Sequence, residues 1–178
     1  MTVPEAPLDR AEHGLVPAGE GWFVVNARDA SWRHREGRGD AAYFEGSTEF
    51  SQLGISLYVL EPGEPIGMYH WEANQEDFLV VSGEALLLVE GEERPLRQWD
   101  FVHCPPGTKH VILGAGEGCV VFAVGAREER GVWGGYAVDE VALRHGAGVE
   151  RETSDFREAY GRFPDSISTR YREGWLPD

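Results

Sequence analysis

Up to about residue 126 the chain is a succession of short apolar segments cut by glycine and proline, and no apolar stripe of helical period runs through it for any length. Such a sequence has one way to build a core, from strands, so an all-β fold is expected. The segment "GWFVVNA" is expected to open it. "LGISLYVLEPGEP" follows, with Leu53, Ile55, Leu57 and Val59 on one face and Pro62-Gly63 as terminator. "FLVVSGEALLLVEGEERPLRQWDFVHCPPG" then predicts three strands in quick succession, separated at Ser82-Gly83 and around Gly91. Phe78 to Val81 and Ala85 to Val89 are apolar on both faces, so these strands need cover on both sides. A jelly roll satisfies that requirement.

The remainder of the chain has a different character. From about residue 127 it is polar, with one short helix expected over 154–160, Ser154 as its N-cap, and Phe156, Tyr160 and Phe163 on a shared face. The organisation read from this is an N-terminal arm over 1–20, a barrel over 21–126, and a mostly irregular extension over 127–178 that packs on the barrel or on a second subunit. With 178 residues, 42% of them hydrophobic, one compact core is within reach. The longest apolar runs, such as "CVVFAVGA", fall far short of the ~20 residues that span a bilayer. The N-terminus carries acids and prolines where a secretory signal needs a basic patch and an apolar stretch, which predicts a cytoplasmic protein. Sixteen Lys and Arg against 31 Asp and Glu give a formal net charge of -15, and a field of that sign repels nucleic acid and anionic lipid. Cys104 and Cys119 form no CxxC pair and read as small buried apolar residues.

"HWEANQEDFLVVSG" crowds ligand-type side chains at the mouth of an apolar strand. His70 and Glu72 are two apart and share a strand face, and a bulge over 73–75 returns Glu76 to it. Some 30 residues later "CPPGTKH" uses a rigid Pro-Pro-Gly turn to deliver His110 at the start of "VILG". These residues resemble the cupin superfamily. Its first motif has a His-x-His pair, a Glu after three or four residues, then six residues and a glycine; His70, Glu72, Glu76 and Gly83 match it with Glu in place of the second His. Its second motif, Pro-x-Gly-x-x-His, is matched by Pro105, Gly107 and His110, although Trp99 stands where that motif usually opens with glycine and Gly114 where it usually closes with asparagine. The resemblance covers roughly residues 50 to 126.

What it implies is a small jelly-roll barrel with a divalent transition metal held by His70, Glu72, Glu76 and His110. Two histidines and two carboxylates make a formally neutral site, and mixed imidazole and carboxylate donors suit Zn, Fe, Mn or Ni. Glu72 has three possible roles: ligand, hydrogen-bond partner of a ligand, or base beside a three-ligand ion. Gln75 competes for the place of Glu76, but the gap to Gly83 selects Glu76. Met68, Phe78 and Ile112 share parity with the ligands and are expected to line the pocket, which favours a small, partly apolar molecule. Tyr69 and Trp71 are expected to face away and, with the tail aromatics, to cover an interface in a homodimer. The arginines of "SWRHREGRGD", Arg33, Arg35 and Arg38, read either as a solvated loop or as an anion-attracting lip over the barrel mouth. Two classes of function fit: a metal-dependent enzyme of oxygenase, isomerase or decarboxylase type, and a sensor or carrier that binds without turnover.

Overall fold

A computed structural model describes residues 2–47, 49–127 and 131–178. The strands are β1 (Leu8–Ala11), β2 (Gly14–Pro17), β3 (Ser31–His34), β4 (Asp40–Ala42), β5 (Leu53–Leu60), β6 (His70–Glu72), β7 (Glu76–Val89), β8 (Glu92–Arg97), β9 (Phe101–Cys104), β10 (His110–Ala126), β11 (Gly134–Tyr136) and β12 (Ile167–Arg170), with short helices α1 (Glu140–Arg144) and α2 (Phe156–Tyr160). β1 and β2 make a separate hairpin. The other ten strands form one sheet in which β11, β6, β10, β5, β4, β3 and β12 follow one another and β7 carries β8 and β9. Pairing between these strands is antiparallel, as the jelly-roll expectation requires.

Two strands are longer than the sequence pattern suggests. The reversal expected at Ser82-Gly83 is a bend: β7 runs on through it, pairing with β9 before the glycine and with β8 after it. Gly83 has φ +76°, and a Cβ there would lie 2.1 Å from the Gly118 carbonyl oxygen, so the bend needs a residue without a side chain. β10 likewise joins "VILG" and "CVVFAVGA" into one strand, with its register interrupted between Ala115 and Cys119. The chain reversal after β7 is at Glu90-Gly91, where both residues have positive φ.

The motif departures have local causes. Trp99 holds φ +74°, the left-handed region that favours glycine, and its ring is 67% exposed, so packing does not compensate. At Gly114 a Cβ would sit 2.2 Å from the Glu61 carbonyl oxygen, which excludes asparagine. Gly114→Asn is expected to cost about 3 kcal/mol by overpacking, read as a lower urea midpoint; an unchanged midpoint would contradict the close approach.

The ends of the chain depart further from expectation. "GWFVVNA" is not a strand, and its Trp22 and Val24 are exposed, whereas the stretch expected to be a bare arm holds the β1–β2 hairpin. The C-terminal extension supplies both ends of the main strand order: β11 pairs with β6 and β12 with β3. It carries two helices where one was expected. Asp139 caps α1, and α2 is capped by Asp155, whose carboxylate accepts from the Arg157 N–H at 2.7 Å; Ser154 instead accepts the Trp133 indole N–H on its carbonyl. Tyr69 is buried within the core, its hydroxyl accepting from Gly91 N–H at 3.1 Å, so it cannot serve the interface proposed for it. No helix among the described residues is long and apolar enough to cross a membrane.

The main core packs Leu60, Val80, Leu88, Val111, Ile112 and Val121 between the faces of the barrel. A second cluster around Trp32, Leu57 and Val120 is closed by the chain's C-terminal Tyr171, Trp175 and Leu176. Along β5 the two faces separate these roles. Leu57 belongs to the second cluster, while Gly54, Ser56 and Tyr58 line a cavity.

Candidate metal centre

Strand register brings the two histidines together. His70 in β6 and His110 in β10 are direct Cα partners, and their rings lie 4.9 Å apart. Glu76 opens β7 opposite Gly125 of β10, and the three residues that separate it from β6 lie outside both strands, letting it turn back toward His70. Gly107, at φ +87°, completes the Pro-Pro-Gly turn that ends at His110 and donates its N–H to the Glu72 carbonyl at 2.8 Å. The outcome is a cluster in which one ligand atom each from His70, Glu76 and His110 lies within 4.8 Å of the others.

The hydrogen bonds fix the tautomers. His70 Nδ1 is 2.7 Å from the Met68 carbonyl and His110 Nδ1 is 3.0 Å from that of Thr108; a carbonyl only accepts, so each Nδ1 carries the proton. Both Nε2 atoms then face the Glu76 carboxylate, at 3.4 Å from His70 and 3.3 Å from His110. Glu76 Oε2 and His110 Nε2 are buried without a hydrogen-bond partner. Three acceptors converging in a buried place repel one another unless a positive charge sits between them, either a proton or a metal ion. The donor set fits a divalent transition metal, with the backbone carbonyls orienting the rings as outer hydrogen-bond partners do in metal sites.

Without a metal, protons take that place. Burial by itself would raise Glu76, but His110 and His70 outweigh it and hold the carboxyl at about 2. Burial would lower His110, yet Cys104 and Glu76 beside it carry it up to about 10. Glu72 differs from Glu76. Its Oε1 lies 3.9 Å from His70 Nε2, it is not one of the three converging residues, and burial, followed by the Glu76 charge, pushes it up to about 7. The structure therefore separates two carboxyls that share one stretch of sequence.

The cluster lies at one wall of a cavity of about 410 Å³, into which His70, Glu72, Glu76 and Phe78 face. Of the three residues expected to line it, only Phe78 does. Met68 packs with Tyr136, Val149 and Ala159, and Ile112 belongs to the main core. Parity along a strand does not survive the bends and crossings that decide which face meets the cavity. Gln75 bonds Asp77 and His103 pairs with Asp77, both away from the cluster, while Cys104 is buried beside His110. The cavity residues that sequence reading passed over are Tyr43, Tyr58 and Tyr160, together with Arg35 and Arg38, which it weighed only as a loop or a lip. Arg33 is exposed, but Arg35 and Arg38 are 5% and 8% exposed. Their signal was the run "REGRGD" in an otherwise acidic chain: its two glycines, at φ +72° and +70°, turn the arginines inward between β3 and β4. Tyr160, taken for a packing aromatic of the tail, reaches the cavity and accepts from Met68 N–H at 3.0 Å, in the space that Gly67 leaves by lacking a Cβ.

Residues 56–125, which contain all four proposed ligands, match the family model for the cupin domain. This segment is a cupin domain. In the comparison with curated proteins nothing matches. Among solved structures the chain is similar to a sugar phosphate isomerase from a cupin superfamily of Silicibacter pomeroyi (26% identity, 52% of this chain and 61% of that one, TM-score 0.47). It is also similar to the DMSP lyase DddQ of Ruegeria pomeroyi (20% identity, 52% and 49%, TM-score 0.45) and to a Cupin 2 conserved barrel domain protein of Salinispora arenicola (26% identity, 48% and 72%, TM-score 0.42). The chain thus spans about half to three-fifths of the length of the first two. Outside the cupin domain lie the N-terminal hairpin, β3 and β4 with the two buried arginines, and the extension that contributes Tyr160.

Proposed function

We propose that the protein uses a divalent transition metal, held by His70, Glu76 and His110, to bind and act on a small molecule in the adjoining cavity. The observation that carries this reading is the convergence of three lone-pair donors, two of them buried and unsatisfied, around a point that only a positive charge can occupy. Glu72 stands at the cavity side of the cluster, placed either to complete the coordination or to exchange a proton with a bound molecule. A bound ion supplies Lewis-acid polarisation of an oxygen on the ligand. The partly aromatic walls and the volume of about 410 Å³ support a small ligand. An enzyme of isomerase, decarboxylase or oxygenase type is favoured over a carrier because three protein ligands leave coordination positions for a substrate. The test is elemental analysis after purification without a metal-affinity tag and reloading with Fe, Mn, Ni or Zn. One ion per chain is expected; less than about 0.1 per chain with all four metals would overturn the reading.

A further inference from the structure

The cavity has a second polar group at some remove from the metal cluster. Arg35 and Arg38 both line it, both are more than nine-tenths buried, and the Nε atom of each is buried without a hydrogen-bond partner. The ion-paired arginines among the described residues are others: Arg28, Arg94, Arg127, Arg144 and Arg151. Arg35 is anchored by donating to the carbonyls of Ile66 (3.0 Å) and Arg38, and its guanidinium lies 4.7 Å from the centre of the Tyr58 ring. Arg38 has aromatic contacts in place of a carboxylate, 4.6 Å from the Tyr160 ring centre and 5.0 Å from that of Phe163. Two adjacent guanidiniums repel each other, and taking both out of water without an ion pair to any described carboxylate is costly unless another anion completes the site.

We infer that Arg35 and Arg38 form an oxyanion subsite, so that the molecule taken up in the cavity carries a carboxylate or a phosphate that these guanidiniums hold while the rest of it extends toward His70, Glu72 and Glu76. The inference rests on the reading of the cavity as the ligand site of the metal centre. A planar fork of N–H donors matches both carboxylate and phosphate; ring faces beside Arg38 leave its edges for that anion, and Arg35 adds its charge and the N–H groups not engaged by the Ile66 and Arg38 carbonyls. The acidic surface does not oppose this, because the two buried guanidiniums supply positive charge at the site itself, closer to the anion than the surface carboxylates.

Inorganic phosphate and malonate, titrated calorimetrically into metal-loaded and chelator-treated protein, test it. Saturable binding of at least one of them, one per chain, is expected in both forms, and the tighter of the two tells phosphate from carboxylate as the recognised group. Arg38→Met, which keeps volume and removes no backbone contact, is expected to weaken that binding by about 10- to 100-fold at unchanged metal content. Equal anion affinity in parent and R38M, or no saturable binding by the chelator-treated parent at millimolar concentrations, overturns the subsite. Should R38M not fold, the parent decides: phosphate or malonate must raise its Tm above that in chloride of equal ionic strength, and no rise overturns the inference. A parent that takes up no metal but binds the anion would overturn the metal reading and leave the subsite standing, so the two fail separately.

Discussion

Glu76→Gln is expected to abolish stoichiometric metal binding, while Glu72→Gln keeps the ion. Glu76 is the one carboxylate among the three converging residues, and both imidazoles face it at 3.4 Å or less. Its neutral amide removes the negative charge and presents an N–H or a weak oxygen to the ion, a loss of several kcal/mol and hence of more than about 1000-fold in affinity. Glu72 lies 3.9 Å from His70 Nε2 and outside that set, so its amide is expected to cost about 10- to 100-fold, the effect of disturbing an outer partner. Glu72→His, the change toward the usual cupin pattern, is expected to retain full occupancy. Competition titration with a chromogenic chelator measures all three. Metal loss in Glu72→Gln as severe as in Glu76→Gln would place Glu72 among the direct ligands and would give the four-ligand site that the sequence implies.

The same titration has a pH signature. In the metal-free protein His110 is carried up to about 10, so at neutral pH it is an imidazolium and the ion must displace its proton. Apparent affinity therefore rises with pH through neutrality and flattens near pH 10. Glu76, held at about 2, contributes no proton in this range. The stability linkage of the metal-free fold runs the other way: the raised His110 contributes fully below its unfolded value of 6.5 and loses that contribution as pH rises toward 10.

Trp32→Ala is expected to destabilise the fold by about 3–5 kcal/mol, lowering Tm by about 10 °C. The ring is fully buried, donates its N–H to the Ala27 carbonyl at 2.9 Å, and packs against Trp175 at 5.1 Å and Tyr171 at 6.2 Å between ring centres. Thr169 of β12 is its strand partner. The ring thus anchors Tyr171 and Trp175 on the barrel, beside the β12–β3 pairing and the Arg28 bonds to Pro177 and Asp178, and its removal is expected to expose that segment to protease before the cupin domain unfolds. A loss below about 1 kcal/mol, with no early cleavage near the C-terminus, would show that the extension is held elsewhere.

The strands of the cupin domain are legible because strand period, glycine turns and proline positions are local properties. Gly83 and Gly107 illustrate the strength of that information, since each marks a change of chain direction set within a few residues. What the pattern misread is equally local in cause. A left-handed glycine serves a bend as well as a reversal, so Ser82-Gly83 looked like a turn; an apolar run such as "GWFVVNA" forms a strand only if a partner edge runs along it, and here only Trp22 finds one, in an isolated bridge to Glu5.

The sequence by itself pointed to an all-β barrel and grouped His70, Glu72, Glu76 and His110 as one candidate set. Only the tertiary structure decided that Glu72 stands apart from Glu76, that Met68 and Ile112 turn into the core, and that Arg35, Arg38, Tyr58 and Tyr160 meet in one cavity. The physical reason is where the information lies. The two motifs mark His70, Glu76 and His110 by local spacing, but side-chain direction after the bend at residues 73–75 and the meeting of β6 with β10 come from packing. A guanidinium from residue 38 and a phenol from residue 160 likewise become neighbours only when the extension adds its strands to both ends of the sheet.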